Sequence, residues 1–106
     1  MKSQAVEFLE SIVEDLGYAY DYYDAWHPEG RDYFRAQWME AVEWIRWNPE
    51  LFPRKHRHFR RVMIRNTYFA AIFVIEPAVT TVVAVVDMRR DPKQIRSLLK
   101  QRKTER

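Results

Sequence analysis

Residues 59–92, FRRVMIRNTYFAAIFVIEPAVTTVVAVVDMRRDP, limit what this chain can fold into more than any other segment. Three apolar runs, 62–64, 68–75 and 80–86, are rich in Val, Ile, Phe and Tyr, side chains that suit a pleated surface. Asn66-Thr67 and Glu76-Pro77 separate them. The pattern predicts strand, turn, strand, turn, strand, a three-stranded meander. In the first strand Val62 and Ile64 share one face, and Arg61, Met63 and Arg65 share the other. The later two runs are apolar at successive positions, as in central strands or strands with one face closed by a partner. Paired arginines flank the segment, Arg60-Arg61 before it and Arg89-Arg90 after it.

Two helical segments come first. Ser11 and Glu14 have capping-box spacing, which places a helix start at about Ile12. Ile12, Leu16, Ala19, Tyr20 and Tyr23 then recur at helical spacing and form the predicted buried stripe. Gly17 falls inside this helix at a cost of roughly 1 kcal/mol relative to Ala, and is read as a place where another backbone comes close. Pro28 and Gly30 end the segment. A second helix is predicted over 31–47, with Phe34, Trp38, Ala41, Val42 and Ile45 as its stripe and Asn48-Pro49 as its stop. A short turn between two helices makes an antiparallel hairpin the simplest arrangement, laid on the Val62 and Ile64 face. Tyr18, Tyr22, Trp26, Trp44 and Trp47 exceed what one stripe buries, so some are expected at the surface or against a partner.

Residues 5–9 read as a brief first strand and 50–58 as a loop. Asp91-Pro92 predicts a last helix, with Asp as cap, Pro in the first turn, and Ile95, Leu98 and Leu99 as its apolar side. The charged end, 102–106, is expected to fray.

The 106 residues fit one domain, 1–106, with a core over about 5–93 and a terminal helix and tail over about 92–106. No cysteine is present, which excludes a disulfide framework and thiolate chemistry. The longest apolar run is too short to span a bilayer, and no signal-peptide pattern opens the chain, so a cytoplasmic protein without membrane contact is expected. Charge is split: residues 1–50 carry a net of −7 and residues 51–106 a net of +10. Six bases lie between Arg54 and Arg65 with no acid among them. Such a split points to an acidic partner, nucleic acid included.

Taken in order, five pieces resemble the RelE/ParE superfamily of type II toxin–antitoxin toxins. They are Val6-Glu7-Phe8-Leu9 before a capped helix; Tyr20-Asp21-Tyr22-Tyr23 late in it; Ile45 with Asn48-Pro49-Glu50 and Phe52-Pro53 after the second helix; Phe59-Arg60-Arg61-Val62 with Ile64 opening the sheet; and Val85 with Arg89-Arg90-Asp91-Pro92 closing it. The resemblance covers about residues 5–93. It implies an α+β fold in the order β-α-α-β-β-β, with a two-helix hairpin on a mainly antiparallel sheet, and here a short C-terminal helix. It also implies a cognate antitoxin that silences the toxin, as a toxin–antitoxin hetero-oligomer or beside a homo-oligomer. An antitoxin helix or strand is expected across the apolar surface of 68–75 and 80–86.

Two activities exist within the resemblance. RelE-like members cut mRNA on the ribosome, which requires cations on the developing phosphate charge and a group able to move a proton. Arg61, Arg65, Arg89 and Arg90 are then the candidate catalytic cations. The His or Tyr expected near the sheet's C-terminal end is missing, since Asp87-Met88 occupies that place. His56 and His58 serve only if their segment folds back over the sheet. ParE-like members instead inhibit DNA gyrase by binding, and the Arg-Arg-Asp-Pro ending with a short helix is closer to that branch. The expected target-binding residues are Arg60, Arg61, Arg65, Arg89 and Arg90, with gyrase as partner, or ribosome and mRNA in the alternative. No metal-spaced cluster and no phosphate-cradling glycine loop is present, so no metal or cofactor is called for.

Overall fold

A computed structural model of the chain describes residues 5–103. Its elements are β1 (Ala5–Phe8), α1 (Ile12–Trp26), α2 (Gly30–Trp47), a 3-10 turn (Pro49–Leu51), β2 (Arg54–His56), β3 (Phe59–Met63), β4 (Phe69–Ile75), β5 (Val79–Asp87) and α3 (Pro92–Lys103). The strands form one mixed sheet in the order β1-β5-β4-β3-β2. β1 runs parallel to β5, and every other pairing is antiparallel. The architecture is α+β with a helical hairpin and a mainly antiparallel sheet, as the sequence led one to expect, with one strand more. Among the described residues no helix is long and apolar enough to cross a membrane.

The α1–α2 hairpin covers one face of the sheet. All five predicted stripe residues of α2 are buried, and with Ile12 and Ala19 of α1 they pack on Val62, Ile64, Phe69, Ala71, Phe73, Val82 and Val85. The turn between the helices is closed by charge: Asp24 accepts from the Arg31 backbone N–H and from its Nε, each at 3.0 Å. The same end of the hairpin is tied to the β3–β4 turn. There the Tyr23 hydroxyl accepts from the Tyr68 N–H at 3.1 Å, and the Tyr33 hydroxyl donates to the Asn66 carbonyl at 2.9 Å. Asn66 takes the left-handed region (φ 58°), which a short polar side chain tolerates.

The opposite face belongs to α3. Ile95 and Leu99 pack against Phe59, Ile72, Val74, Val83 and Val86. Asp91 caps this helix, its Oδ1 accepting from the Lys93 N–H at 2.9 Å. Both faces of β4 and β5 are therefore closed by the chain itself. The apolar surface expected to receive an antitoxin is occupied by α3, because the three apolar residues of that helix meet it directly. Alternation along β5 also breaks once: Ile72 pairs with Ala84 and Phe73 with Val82, leaving Val83 as a bulge. The bulge turns Val83 and Ala84 toward the α3 side, while Val82 and Val85 face the hairpin.

Four local expectations are corrected. Ser11 makes no side-chain cap bond to α1, because its backbone is already helical (φ −60°, ψ −17°). Gly17 has nothing within 4 Å of where a Cβ would stand; the close approach is at Gly30 instead, which opens α2. The 50–58 segment is not all loop: β2 pairs with β3 and forms the sheet's charged edge. Arg102 does not fray. It is 7% exposed, and its guanidinium makes two hydrogen bonds to Asp15, at 2.6 and 2.8 Å, and one to the Val83 carbonyl at 3.0 Å. Residues 104–106, also expected to fray, lie outside the described residues.

Candidate functional site

The β2–β3 hairpin rises beside α3, and a cleft opens between them. Residues 56–59 make the hairpin turn, with Arg57 in the left-handed region (φ 54°) at its tip. The outer cleft lies between His56, Arg57 and Phe59 on the hairpin and Lys93, Arg96 and Lys100 on α3. Its volume is about 560 Å³. A narrower inner part of about 220 Å³ continues past Lys55, Arg60, Arg61 and Arg90. Its floor is apolar, built from Ile72, Met88, Ile95 and Leu99. No carboxylate lines either part. The His56 and His58 rings lie at 6° and 25° to the Phe59 ring, with centroids 6.4 and 4.9 Å away.

The five arginines proposed from sequence do not share one place. Arg60, Arg61 and Arg90 meet in the inner cleft. Arg60 is also anchored, donating to the Phe52 carbonyl at 2.7 Å. Arg65 lies apart, in a groove with Trp44 and Met63, and faces Glu40 at 3.8 Å. Arg89 is bound up within the fold. Its guanidinium sits 4.2 Å from the Tyr68 ring centroid and 4.9 Å from that of Tyr22, and donates to the Tyr22 hydroxyl at 3.0 Å. It also donates twice to Asp87, at 2.7 and 3.0 Å. This cage joins the end of β5 to α1 and the β3–β4 turn.

Sequence reasoning passed over the α3 half of the cleft. Lys93, Arg96 and Lys100 stand at i, i+3 and i+7, the helical spacing used to find apolar stripes, and the same test applied to charge picks them out. His56 falls in a segment that the sequence reads as a loop; pairing of β2 with β3 brings it to the cleft.

The Arg89 guanidinium holds the Asp87 carboxyl below the ordinary carboxylate range, against burial, which would raise it. A depressed folded value means that the unfolded chain binds the proton more readily. The contact therefore stabilises fully above about pH 4 and fades as pH falls below that. Asp87→Asn should lower the unfolding midpoint at neutral pH, and its gap from the parent should narrow toward about pH 2 in acid unfolding followed by circular dichroism. A gap constant across that range would remove Asp87 as the titrating group. Beside this cage, burial pushes the Tyr23 phenol up, which keeps its hydroxyl protonated under the Tyr68 N–H.

A solved structure of the chromosomal ParDE TA system from P. aeruginosa holds a chain of the same architecture. The two align with a TM-score of 0.70 at 16% identity, over 80% of this chain and 96% of that one. The fold is ParE-like. No protein-family model matches the chain, and no curated protein does. Within this ParE-like fold, the α1–α2 outer surface leaves Trp26, Trp44, Trp47 and Tyr18 exposed, as the surplus of aromatics implied. Trp44 and Trp47 meet edge to face (centroids 5.5 Å apart) beside Leu51 and Met63, an apolar surface that no described element covers. Among the described residues no group of three His, Cys, Asp or Glu is placed to hold a metal ion.

Proposed function

We propose that this chain is the toxin of a type II toxin–antitoxin module, that it inhibits DNA gyrase by binding, and that a cognate antitoxin silences it. The observation that carries the reading is the ParE-like fold shared with a chain of the ParDE system. The cation-lined cleft supports an acidic target surface, with Arg60, Arg61 and Arg90 as its inner contacts. The exposed Trp44, Trp47, Leu51 and Met63 offer the antitoxin an apolar seat in place of the sheet face that α3 occupies. The module acts in the cytoplasm.

Inducible expression in bacteria, followed by supercoiling assays with purified gyrase, tests this reading. Growth arrest with supercoiling blocked and mRNA intact is expected. Arg61→Ala should restore viable counts by at least about tenfold, as the loss of one charge-assisted contact would, while Arg46→Ala should leave toxicity unchanged. Arg89→Ala is expected to act through lost stability, read as a lower melting temperature. Equal toxicity of the Arg61 and Arg46 variants would detach the cleft from the activity.

One observation favours a second reading, a RelE-like ribosome-dependent endoribonuclease. His56 lines the cleft together with Arg61 and Arg96, so a side chain able to carry a proton stands near two cations. Cleaved mRNA on ribosomes with gyrase unaffected, and loss of cleavage in His56→Ala, would select it over gyrase inhibition.

A further inference from the structure

We propose that the exposed surface formed by Trp44, Trp47, Leu51 and Met63 pairs two copies of this chain about a twofold axis. All four side chains stand about half exposed. At the usual size of such side chains they present together about 400 Å² of apolar area, within the range of a functional patch on a small protein. Tryptophan and methionine are enriched where proteins meet, and a projecting aromatic ring there fills a pocket on the partner.

The surface carries both halves of its own complement. Trp44 lies between two grooves. One, of about 380 Å³, runs between α2 and β3 and is lined also by Ala41, Leu51, Phe52 and Met63. The other, of about 280 Å³, lies between Trp44 and Trp47, with Glu40 and Glu43 beside them. A ridge flanked by grooves meets a second copy of itself ridge into groove, as a contact between identical surfaces requires. The charges around the ridge balance. Glu40 faces Arg65 and Glu43 pairs with Arg46, two charges of each sign. Such a rim meets its own copy without net repulsion, and it offers no excess of either sign to a strongly charged partner. The cleft of Arg96 and Lys100 could not pair with itself, since cation would face cation. The area suffices as well. With Gln37 and the four charged side chains added, each copy contributes about 800 Å², the size of a specific interface. Where the toxin reading holds, an antitoxin on this seat must part the two copies; the dimer itself does not depend on that reading.

The test is sedimentation velocity of the purified chain between about 1 and 100 μM, which reaches the weaker affinities shown by interfaces of this size. A species of twice the 13.0 kDa chain mass is expected at the upper end. Trp44→Glu puts a charge at the centre of the contact and should weaken association at least about thirtyfold. Leu51→Glu, on the 3-10 turn rather than on a helix, should do the same. Circular dichroism should show both variants folded, since both positions are exposed in the single chain. Val13→Glu, at an exposed apolar position of α1 outside the patch, should change association by less than about threefold. A parent chain that stays monomeric at about 100 μM would overturn the proposal and leave the surface to a partner of different sequence. So would a dimer that survives both patch variants, a dimer that Val13→Glu weakens equally, or growth past the dimer with concentration, which a closed twofold contact forbids.

Discussion

Asp15→Ala is expected to destabilise the fold by about 3–5 kcal/mol, because it leaves the Arg102 guanidinium buried without its counter-charge. Asp15 and Arg102 are almost wholly enclosed, with side chains 12% and 9% exposed. They also serve the sheet. β1 pairs with β5 only through Val82, beyond which the Leu9 N–H makes one last bond to the Val82 carbonyl. Past that point Asp15 accepts from the Val85 N–H at 2.9 Å and Arg102 donates to the Val83 carbonyl at 3.0 Å. Two side chains thus stand where a neighbouring strand would be. An Asp15→Leu/Arg102→Met pair removes the charge problem but not the need of those two backbone groups. It should recover part of the loss and remain about 1–3 kcal/mol below the parent. Denaturant titrations of the three proteins measure this. A loss under about 1 kcal/mol for Asp15→Ala would mean that water reaches Arg102, and the account of the pair would fail.

Gly30→Ala should be nearly as damaging, while Gly17→Ala should stabilise. A Cβ at Gly30 would stand 1.8 Å from the Tyr23 carbonyl oxygen and 2.3 Å from its carbon. That neighbour is the backbone of α1, which cannot rotate aside, so the two helices must part at their turn. Phe34, Tyr23 and Phe69 pack together just beyond it, with centroids 5.5 to 6.0 Å apart, and would be disturbed in turn. A cost of about 3 kcal/mol or more is expected, at or above the upper range for overpacking. At Gly17 the space is open, and the helix interior gains about 1 kcal/mol from Ala. Thermal unfolding of the two single variants should move in opposite directions. A Gly30→Ala protein that melts with the parent would show that the hairpin turn relaxes freely.

These two predictions also mark where local pattern stops informing. The helical stripes were legible because burial on one face leaves a period in the sequence, and Phe34, Trp38, Ala41, Val42 and Ile45 carry it without interruption. The three apolar strands were legible from their β-branched content and from the breakers between them, to within three residues at their ends. The Asp91 cap was legible because a cap acts within one turn. β2 left no such trace. It is an arginine, a lysine and a histidine at a sheet edge, held by pairing rather than by an apolar face.

The sequence by itself determined the elements other than β2, their order and the sign of the charge on each half, since these depend on neighbours a few positions apart. Only the tertiary structure decided which cations stand together. Arg60, Arg61 and Arg90 meet Lys93, Arg96 and Lys100 because α3 folds back over the sheet, while Arg65 is turned toward Glu40 and Arg89 is held by Asp87 and two tyrosines. The partner of Arg102 is 87 positions away. Contacts that distant come from packing, and packing leaves no period to read.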